Sequence, residues 1–272
     1  MNEQKHAINR VRHDLKLREL TVRRLTRLTP QMLRVTLGGE ALRGFSSAAA
    51  DDHCKVFFPA PGASRPVLPQ GPPGSHASRE ADGPTPIARD YTPRRYDAAK
   101  LELDLDFVLH GEGPAASWAS QAEVGQTLGV GGPRGSFVVS DDFDWYLLVG
   151  DETALPAIGR RLEELRAAAR VICLIEVQDE REQLSLTSPA TLSVHWLHRG
   201  SEGPGGAQQL LEALRRLKLP PGDGYAWIAC ESHVARILRE HLSVERCLNK
   251  PWIKAAGYWK RGAIATHENI ND

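Results

Sequence analysis

The sequence predicts a β plus α/β fold: an N-terminal antiparallel β-barrel domain over residues 1–141, then a doubly wound parallel-sheet domain over 142–272. Three observations predict it. Apolar residues alternate with charged ones through the first half, strands and helices alternate through the second, and 272 residues suit two medium domains. In the first half, Leu15, Leu17, Leu20, Val22 and Leu25 are interleaved with charges, and Leu33, Val35 and Leu37 alternate with Arg34 and Thr36. Residues 55–58 form a short apolar run ending at Pro59. Leu101, Leu103, Leu105, Phe107 and Leu109 alternate strictly with Glu102, Asp104 and Asp106, which predicts a strand with one buried and one wet face. Between these strands a Pro/Gly/Ser-rich insertion, 60–86, reads as a mobile loop on the barrel rim.

The second half opens with a buried strand at 145–149, ending in Gly150-Asp151. A helix follows with Leu155, Ile158, Leu162 and Leu165 on one face. Residues 171–177 form an apolar run without alternation, as expected of a strand covered on both faces, and 192–197 form a third strand. Leu210, Leu211, Leu214 and Leu217 mark a helix closed by Pro220-Pro221-Gly222. A fourth strand at 225–229 precedes a helix striped by Val234, Ile237, Leu238 and Leu242. Strand–helix alternation at this spacing implies parallel strands with covered faces.

Composition removes several classes. Apolar residues make up 41% and charged residues 25%, an ordinary globular mixture, and 34 basic against 34 acidic side chains give no global field for nucleic acid or acidic membrane. No apolar run approaches the roughly 18–20 residues of a membrane span, and the first twenty residues carry no signal-like apolar core. Cys54, Cys173, Cys230 and Cys247 are scattered without metal-ligand spacing. This argues for reduced thiols in a cytoplasmic protein with no zinc site and no disulfide framework. No Ser/His/Asp or Cys/His arrangement stands out.

Three stretches carry chemistry. In Ile87-Ala88-Arg89-Asp90-Tyr91-Thr92-Pro93-Arg94, a strand offers an arginine, an aromatic ring and a hydroxyl. Arg89 suits a two-pronged contact to a pyrophosphate, Tyr91 the face of an isoalloxazine, and Thr92 the flavin edge. The same residues equally suit an exposed strand with ordinary arginines. In the stretch Asp106-Phe107-Val108-Leu109-His110-Gly111-Glu112-Gly113-Pro114-Ala115-Ala116-Ser117, a strand ends, glycines turn, and Pro114 opens a helix whose first-turn amides suit a diphosphate. A plain strand–turn–helix with a packing Trp118 reads as well. Gly150-Asp151-Glu152-Thr153 stands where a doubly wound sheet meets its ligand, yet it is not GxGxxG and its two carboxylates are poor company for a pyrophosphate.

Five motifs in order, Arg89-Asp90-Tyr91-Thr92-Pro93-Arg94, Val108-Leu109-His110-Gly111, Gly132-Pro133-Arg134-Gly135-Ser136, Gly150-Asp151-Glu152-Thr153-Ala154-Leu155-Pro156 and Gly257-Tyr258-Trp259-Lys260-Arg261-Gly262, resemble the siderophore-interacting protein family. These are FAD-containing ferric-siderophore reductases within the ferredoxin–NADP reductase superfamily. The resemblance implies an FAD-binding barrel, an NAD(P)H-binding-like domain, and electron delivery from NADPH or NADH to an Fe(III) chelate. It carries FAD-binding roles to Arg89, Asp90, Tyr91, Thr92, Arg94, Asp106, Val108, His110, Gly111, Gly113, Pro114, Ala115, Ala116, Ser117 and Thr153. It carries substrate-binding roles to Lys55, Arg134, Lys260 and Arg261. The expected partners are a ferric siderophore and a nicotinamide nucleotide, with no nucleic acid and a monomeric chain.

Two features depart from the family pattern. Cys230-Glu231 stands where relatives have Gly-Glu, which puts hydride access in doubt, and the tail after Gly262 is short. Some relatives with a longer C-terminal helix draw electrons from ferredoxin, so the short tail favours a nicotinamide donor. Glu176 and Asp179 disfavour a 2′-phosphate, whereas Arg181 and Arg199 attract one, leaving the choice of nucleotide open. A ferredoxin-fed or general flavin reductase, and a non-catalytic FAD-containing siderophore-binding protein, are the alternatives.

Overall fold

A computed structural model describes residues 5–69, 85–109, 113–263 and 268–270. Most of the 60–86 insertion, and also His110 and Gly111, lie outside the described residues. The chain divides into two compact units, Ile8–Val138 and Val139–Asp272, the latter joined by the segment ending at Ala7.

In the first unit the strands are β1 (Ile8–Arg12), β2 (Leu17–Thr29), β3 (Met32–Gly38), β4 (Cys54–Phe58), β5 (Ile87–Tyr91), β6 (Arg95–Asp97), β7 (Glu102–Val108), β8 (Thr127–Gly131) and β9 (Gly135–Val139). Among the described residues this unit has one α-helix, α1 (Pro114–Ser120). Seven strands form one sheet in the order β5-β4-β8-β2-β3-β7-β6, every pairing antiparallel, while β1 pairs with β9. The sheet curls: Tyr91 on the first strand of that order packs its ring 4.2 Å from Phe107 on the sixth. Leu20, Val22, Val35, Leu37, Val56, Phe58, Leu103, Leu105, Leu128 and Val130 fill the enclosed core. Fully burying one such side chain is worth about 1.5–3 kcal/mol.

The expectation for β7 needs correction, because its acidic face is not wet. Asp104 and Asp106 are only 2% and 4% exposed. Arg34 Nε and Nη2 donate to the two Asp106 oxygens at 2.7 and 2.8 Å. Thr36 Oγ1 and Arg95 Nε donate to Asp104 at 2.7 and 2.8 Å. β7 lies between β3 and β6, whose arginines spread their stems over the carboxylates and neutralise them.

The second unit holds β10 (Trp145–Gly150), β11 (Arg170–Val177), β12 (Thr191–His198), β13 (Gly224–Glu231), β14 (Ile253–Trp259) and β15 (Glu268–Ile270). Its helices are α2 (Leu155–Glu164), α3 (Gln208–Arg216) and α4 (Ser232–Glu240). The sheet order is β12-β11-β10-β13-β14-β15, parallel through β14 and antiparallel only at β15. β12 alternates partly buried and exposed residues as an outer strand should, whereas β10, β11 and β13 are buried almost throughout. The strand order reverses between β10 and β13, the switch point at which doubly wound sheets receive ligands. His6, between Asp142 and Asp223 at 2.9 Å from each and stacked on Phe143, fixes the N-terminal segment to this unit.

Candidate functional site

The barrel unit gathers its candidate residues around β5 and α1. Among the described residues β5 pairs only with β4. The register sets Val56 opposite Arg89, Lys55 opposite Asp90 and Cys54 opposite Tyr91. Lys55 Nζ donates to Asp90 Oδ1 at 2.7 Å, on a half-exposed side chain. Arg89 behaves differently from the arginines of β3 and β6. Its Nη1 donates to the Ala88 carbonyl at 2.7 Å, and no carboxylate among the described residues pairs with it. The guanidinium keeps donors for an outside acceptor.

Tyr91, Phe58, Phe107 and Trp118 form one aromatic cluster, with ring separations from 4.2 to 6.3 Å. Burial raises the Tyr91 hydroxyl above its ordinary pKa, outweighing the opposing influence of Arg89, so the phenol stays neutral. Thr92 is buried, and among the described residues no partner takes its hydroxyl. The Arg94 amide donates to Asp104 O at 2.9 Å.

α1 packs on β7, β4 and β5 through Trp118, whose buried indole N–H also lacks a partner. Its N-cap is the exposed, extended Gly113, with no side-chain cap, and Pro114 follows at the first helical position. Proline loses no bond there, and the amides of Ala115 and Ala116 are the first-turn donors. Ser117 is exposed; its amide closes the first helical bond to Gly113 O at 2.9 Å. Among the described residues, an arginine without a carboxylate, a partnerless buried indole N–H, the Thr92 hydroxyl and an uncapped helix start on one unit fit a flavin carrying a diphosphate. Asp106 already serves Arg34 with both oxygens, and Val108 lies opposite Met32 at the end of β7.

In the α/β unit the carboxyl edge of the sheet is built from buried ionisable groups. Gly150 ends β10 where a Cβ would lie 2.4 Å from Ala154 Cβ and 2.7 Å from the Ala229 carbonyl, so only glycine fits. Asp151 accepts from the Thr153 amide at 2.9 Å, Thr153 Oγ1 at 2.5 Å and Trp259 Nε1 at 2.8 Å. Thr153 thus gives its hydroxyl proton to Asp151. Burial first, and then the neighbouring Glu152 charge, push the Asp151 carboxyl above the usual range. Glu152 pairs with Arg199, both buried. Glu231 caps α4 by accepting from the amides of His233 at 2.6 Å and Val234 at 3.1 Å. Cys230 is buried beside it, and burial followed by the Asp151 charge raises its thiol well above the ordinary value.

The four basic residues assigned to substrate divide between the units. Lys55 and Arg134 are exposed on the barrel unit. Lys260 and Arg261 are exposed on the other, with Lys260 Nζ 3.5 Å from Glu268 and Arg261 Nη2 donating to Pro204 O at 2.5 Å. The ties of Trp259 to Asp151 and of Arg34 to Asp106 escaped sequence reasoning, since they join residues 108 and 72 positions apart. Among the described residues there is no cluster of three metal-ligating side chains, and no helix is long and apolar enough to cross a membrane.

Comparison with known proteins bears on the same residues. Residues 143–262 match the family described as siderophore-interacting protein, and residues 21–137 match the siderophore-interacting FAD-binding domain. The NADPH-dependent ferric-chelate reductase of Escherichia coli (strain K12) is 39% identical over 265 residues, spanning 95% of this chain and 99% of that one. The ferric vibriobactin reductase ViuB of Vibrio cholerae is 36% identical over 244 residues, 86% of each chain. Among solved structures, a siderophore utilization protein from T. fusca superposes with a TM-score of 0.89 at 38% identity, covering 96% of this chain and 98% of that one. The siderophore-interacting protein SipS from Aeromonas hydrophila gives 0.76 at 29% identity, covering 93% and 94%.

Proposed function

Because the chain belongs to the siderophore-interacting protein family, we propose that it is an FAD-dependent reductase that takes electrons from NADPH or NADH and delivers them to siderophore-bound Fe(III). Iron is released because siderophores hold Fe(II) weakly. The observation that carries this reading is Arg89, which among the described residues has no carboxylate partner, on a strand that packs against the uncapped helix α1. When bound, FAD supplies the conversion of a two-electron donor's hydride into single electrons for iron.

The chain's own residues bind, orient and shield. Arg89 holds the diphosphate by a charge-assisted contact, with the amides of Ala115 and Ala116 and the exposed Ser117 supporting it from the helix start. Tyr91 lays a neutral ring against the isoalloxazine, and Thr92 hydrogen-bonds its edge. Asp90 orients Lys55, which with Arg134 draws an anionic chelate to the barrel unit; Lys260 and Arg261 play that part on the α/β unit. Domain limits of 1–141 and 142–272, a cytoplasmic location and a monomeric state belong to the same proposal. A nicotinamide donor is preferred to ferredoxin because the second unit carries a doubly wound sheet with a switch point. Heat release and chromatography of the bound flavin is expected to yield FAD. Finding FMN alone would remove the diphosphate role of Arg89. Steady NAD(P)H oxidation that depends on an added ferric chelate is expected, and its absence would favour a siderophore-binding protein.

A further inference from the structure

A cavity of about 150 Å³ opens at the carboxyl end of β11 and β12 in the α/β unit, lined by Glu176, Arg199, Glu202, the glycines 203 and 206, and the start of α3. Its volume suits one part of a nucleotide rather than a whole dinucleotide, whose pockets run to about 300 Å³ and more. Two polar side chains face it without full satisfaction. Glu176 is 3% exposed and lines the cavity, and among the described residues no side-chain hydrogen bond reaches its carboxylate. Arg199 is 8% exposed; one prong of its guanidinium serves Glu152 while Nη1 is buried without a partner. Arg199 Nη1 is thus a buried polar group left unpaired, at a cost of about 1–3 kcal/mol, and is poised for an outside partner, while Glu176 lines the cavity itself.

We propose that this cavity receives the adenosine ribose of the nicotinamide donor, with Glu176 accepting from the 2′-hydroxyl, so that this chain favours NADH over NADPH. The proposal rests on reading the protein as a nicotinamide-fed reductase, and it separates this chain from its NADPH-dependent relative. A ribose 2′-hydroxyl donates to a carboxylate, and an acidic group near the carboxyl edge of a doubly wound sheet meets that hydroxyl in dinucleotide folds generally. A 2′-phosphate offers no such donor at neutral pH and brings nearly two negative charges. In this cavity it would face Glu176, Glu202 and Glu212, against the single cation Arg199, whose charge Glu152 already balances. Of the other basic residues near this edge, Arg181 is held by Asp179 through contacts of 3.2 and 2.7 Å, and Arg261 is engaged with the Pro204 carbonyl and, through its amide, with Glu231. Arg199 Nη1 remains a neutral-balance donor for a ribose oxygen.

The test uses the FAD-loaded protein and two redox-inert fragments, ADP-ribose and its 2′-phosphorylated form, titrated by calorimetry at pH 8, where the raised Glu176 carboxyl is ionised. ADP-ribose is expected to bind at least tenfold tighter than the phosphorylated fragment. Glu176→Gln, which keeps the shape but removes the charge, is expected to bring the two affinities within a factor of about three. Tighter binding of the phosphorylated fragment to the wild type, equal binding of both, binding of neither, or an unchanged ratio in the variant would each overturn the proposal. The wild-type comparison stands without the variant. Fragment binding is independent of electron transfer, so a protein that discriminates the fragments but reduces no ferric chelate would refute the reductase reading alone.

Discussion

The arginines of the barrel unit and those of the α/β unit are used in opposite ways. On β3 and β6, Arg34 and Arg95 neutralise the buried carboxylates of β7, whereas Arg89 on β5 faces no carboxylate. At the carboxyl edge of the α/β sheet, Arg199 and Arg181 are each tied to an acidic group, and the carboxylate of Glu176 is the group left over. One region therefore keeps a cation in reserve and the other an anion. The first is the side proposed for a diphosphate, and the second the side proposed for a hydroxyl-rich sugar.

The comparison is broken most severely by removing a paired arginine. Arg34→Ala leaves Asp106 buried and unneutralised, and such losses cost about 3–5 kcal/mol. Chemical unfolding of the holoprotein is expected to show a destabilisation of that order. A change below about 1 kcal/mol would mean that Asp106 is solvated after all. Arg89→Ala is expected to do the reverse, sparing the fold while weakening FAD binding by about 1.5–3 kcal/mol, roughly ten- to hundredfold. Flavin titration reads the affinity, and a melt in excess FAD reads the fold.

Glu176 sharpens the other side of the contrast. Burial, and then the Asp151 charge, push its carboxyl up to about 7. A carboxyl raised in the folded state above its unfolded value binds protons preferentially when folded. Its contribution to stability is full below the unfolded value near 4.5 and is lost as pH rises through about 7. Glu176→Gln is expected to raise stability at pH 8 by about 1–2 kcal/mol, reduced by solvent entering the cavity, and to leave it unchanged at pH 4. Melting temperatures at the two pH values check this; a gain of equal size at both would contradict it.

Smaller effects follow for residues at the barrel site. Tyr91→Ala is expected to shift the flavin absorbance bands and midpoint potential with the fold retained; unchanged bands would make Tyr91 a packing residue alone. Lys55→Ala is expected to raise the KM for an anionic ferric chelate and flatten its salt dependence, with flavin reduction by the nicotinamide unaffected. Stopped-flow oxidation of the reduced protein at two salt concentrations measures it.

Much of the architecture was legible because periodicity reports burial directly. The alternation from Leu101 to Leu109 and the apolar runs of β10, β11 and β13 appear where their patterns put them. The acidic face of β7 was misread because its neutralising arginines come from β3 and β6, which only the register places alongside. β14 and β15 gave little signal: Ile253–Trp259 mixes lysine, alanine and glycine, and β15 has three residues. At the site, Arg89 and Tyr91 fall on one strand with Thr92 directly after it, as their close order suggested, and their part in holding a flavin is the proposal made above. The engagement of Thr153 with Asp151, and of Asp151 with Trp259, was not, since hydrogen bonds across the fold leave no local pattern.

The central claim is that the chain passes electrons from a nicotinamide through FAD to chelated iron. Anaerobic mixing of the purified holoprotein with one equivalent of NADH, followed by a ferric siderophore and a ferrous-specific trap, tests it most directly. The flavin absorbance is expected to bleach and to recover when the ferric chelate is added, with about two Fe(II) trapped per FAD because a two-electron-reduced flavin reduces two Fe(III). A flavin that neither NADH nor NADPH bleaches, or that once bleached recovers only with dioxygen, would contradict it.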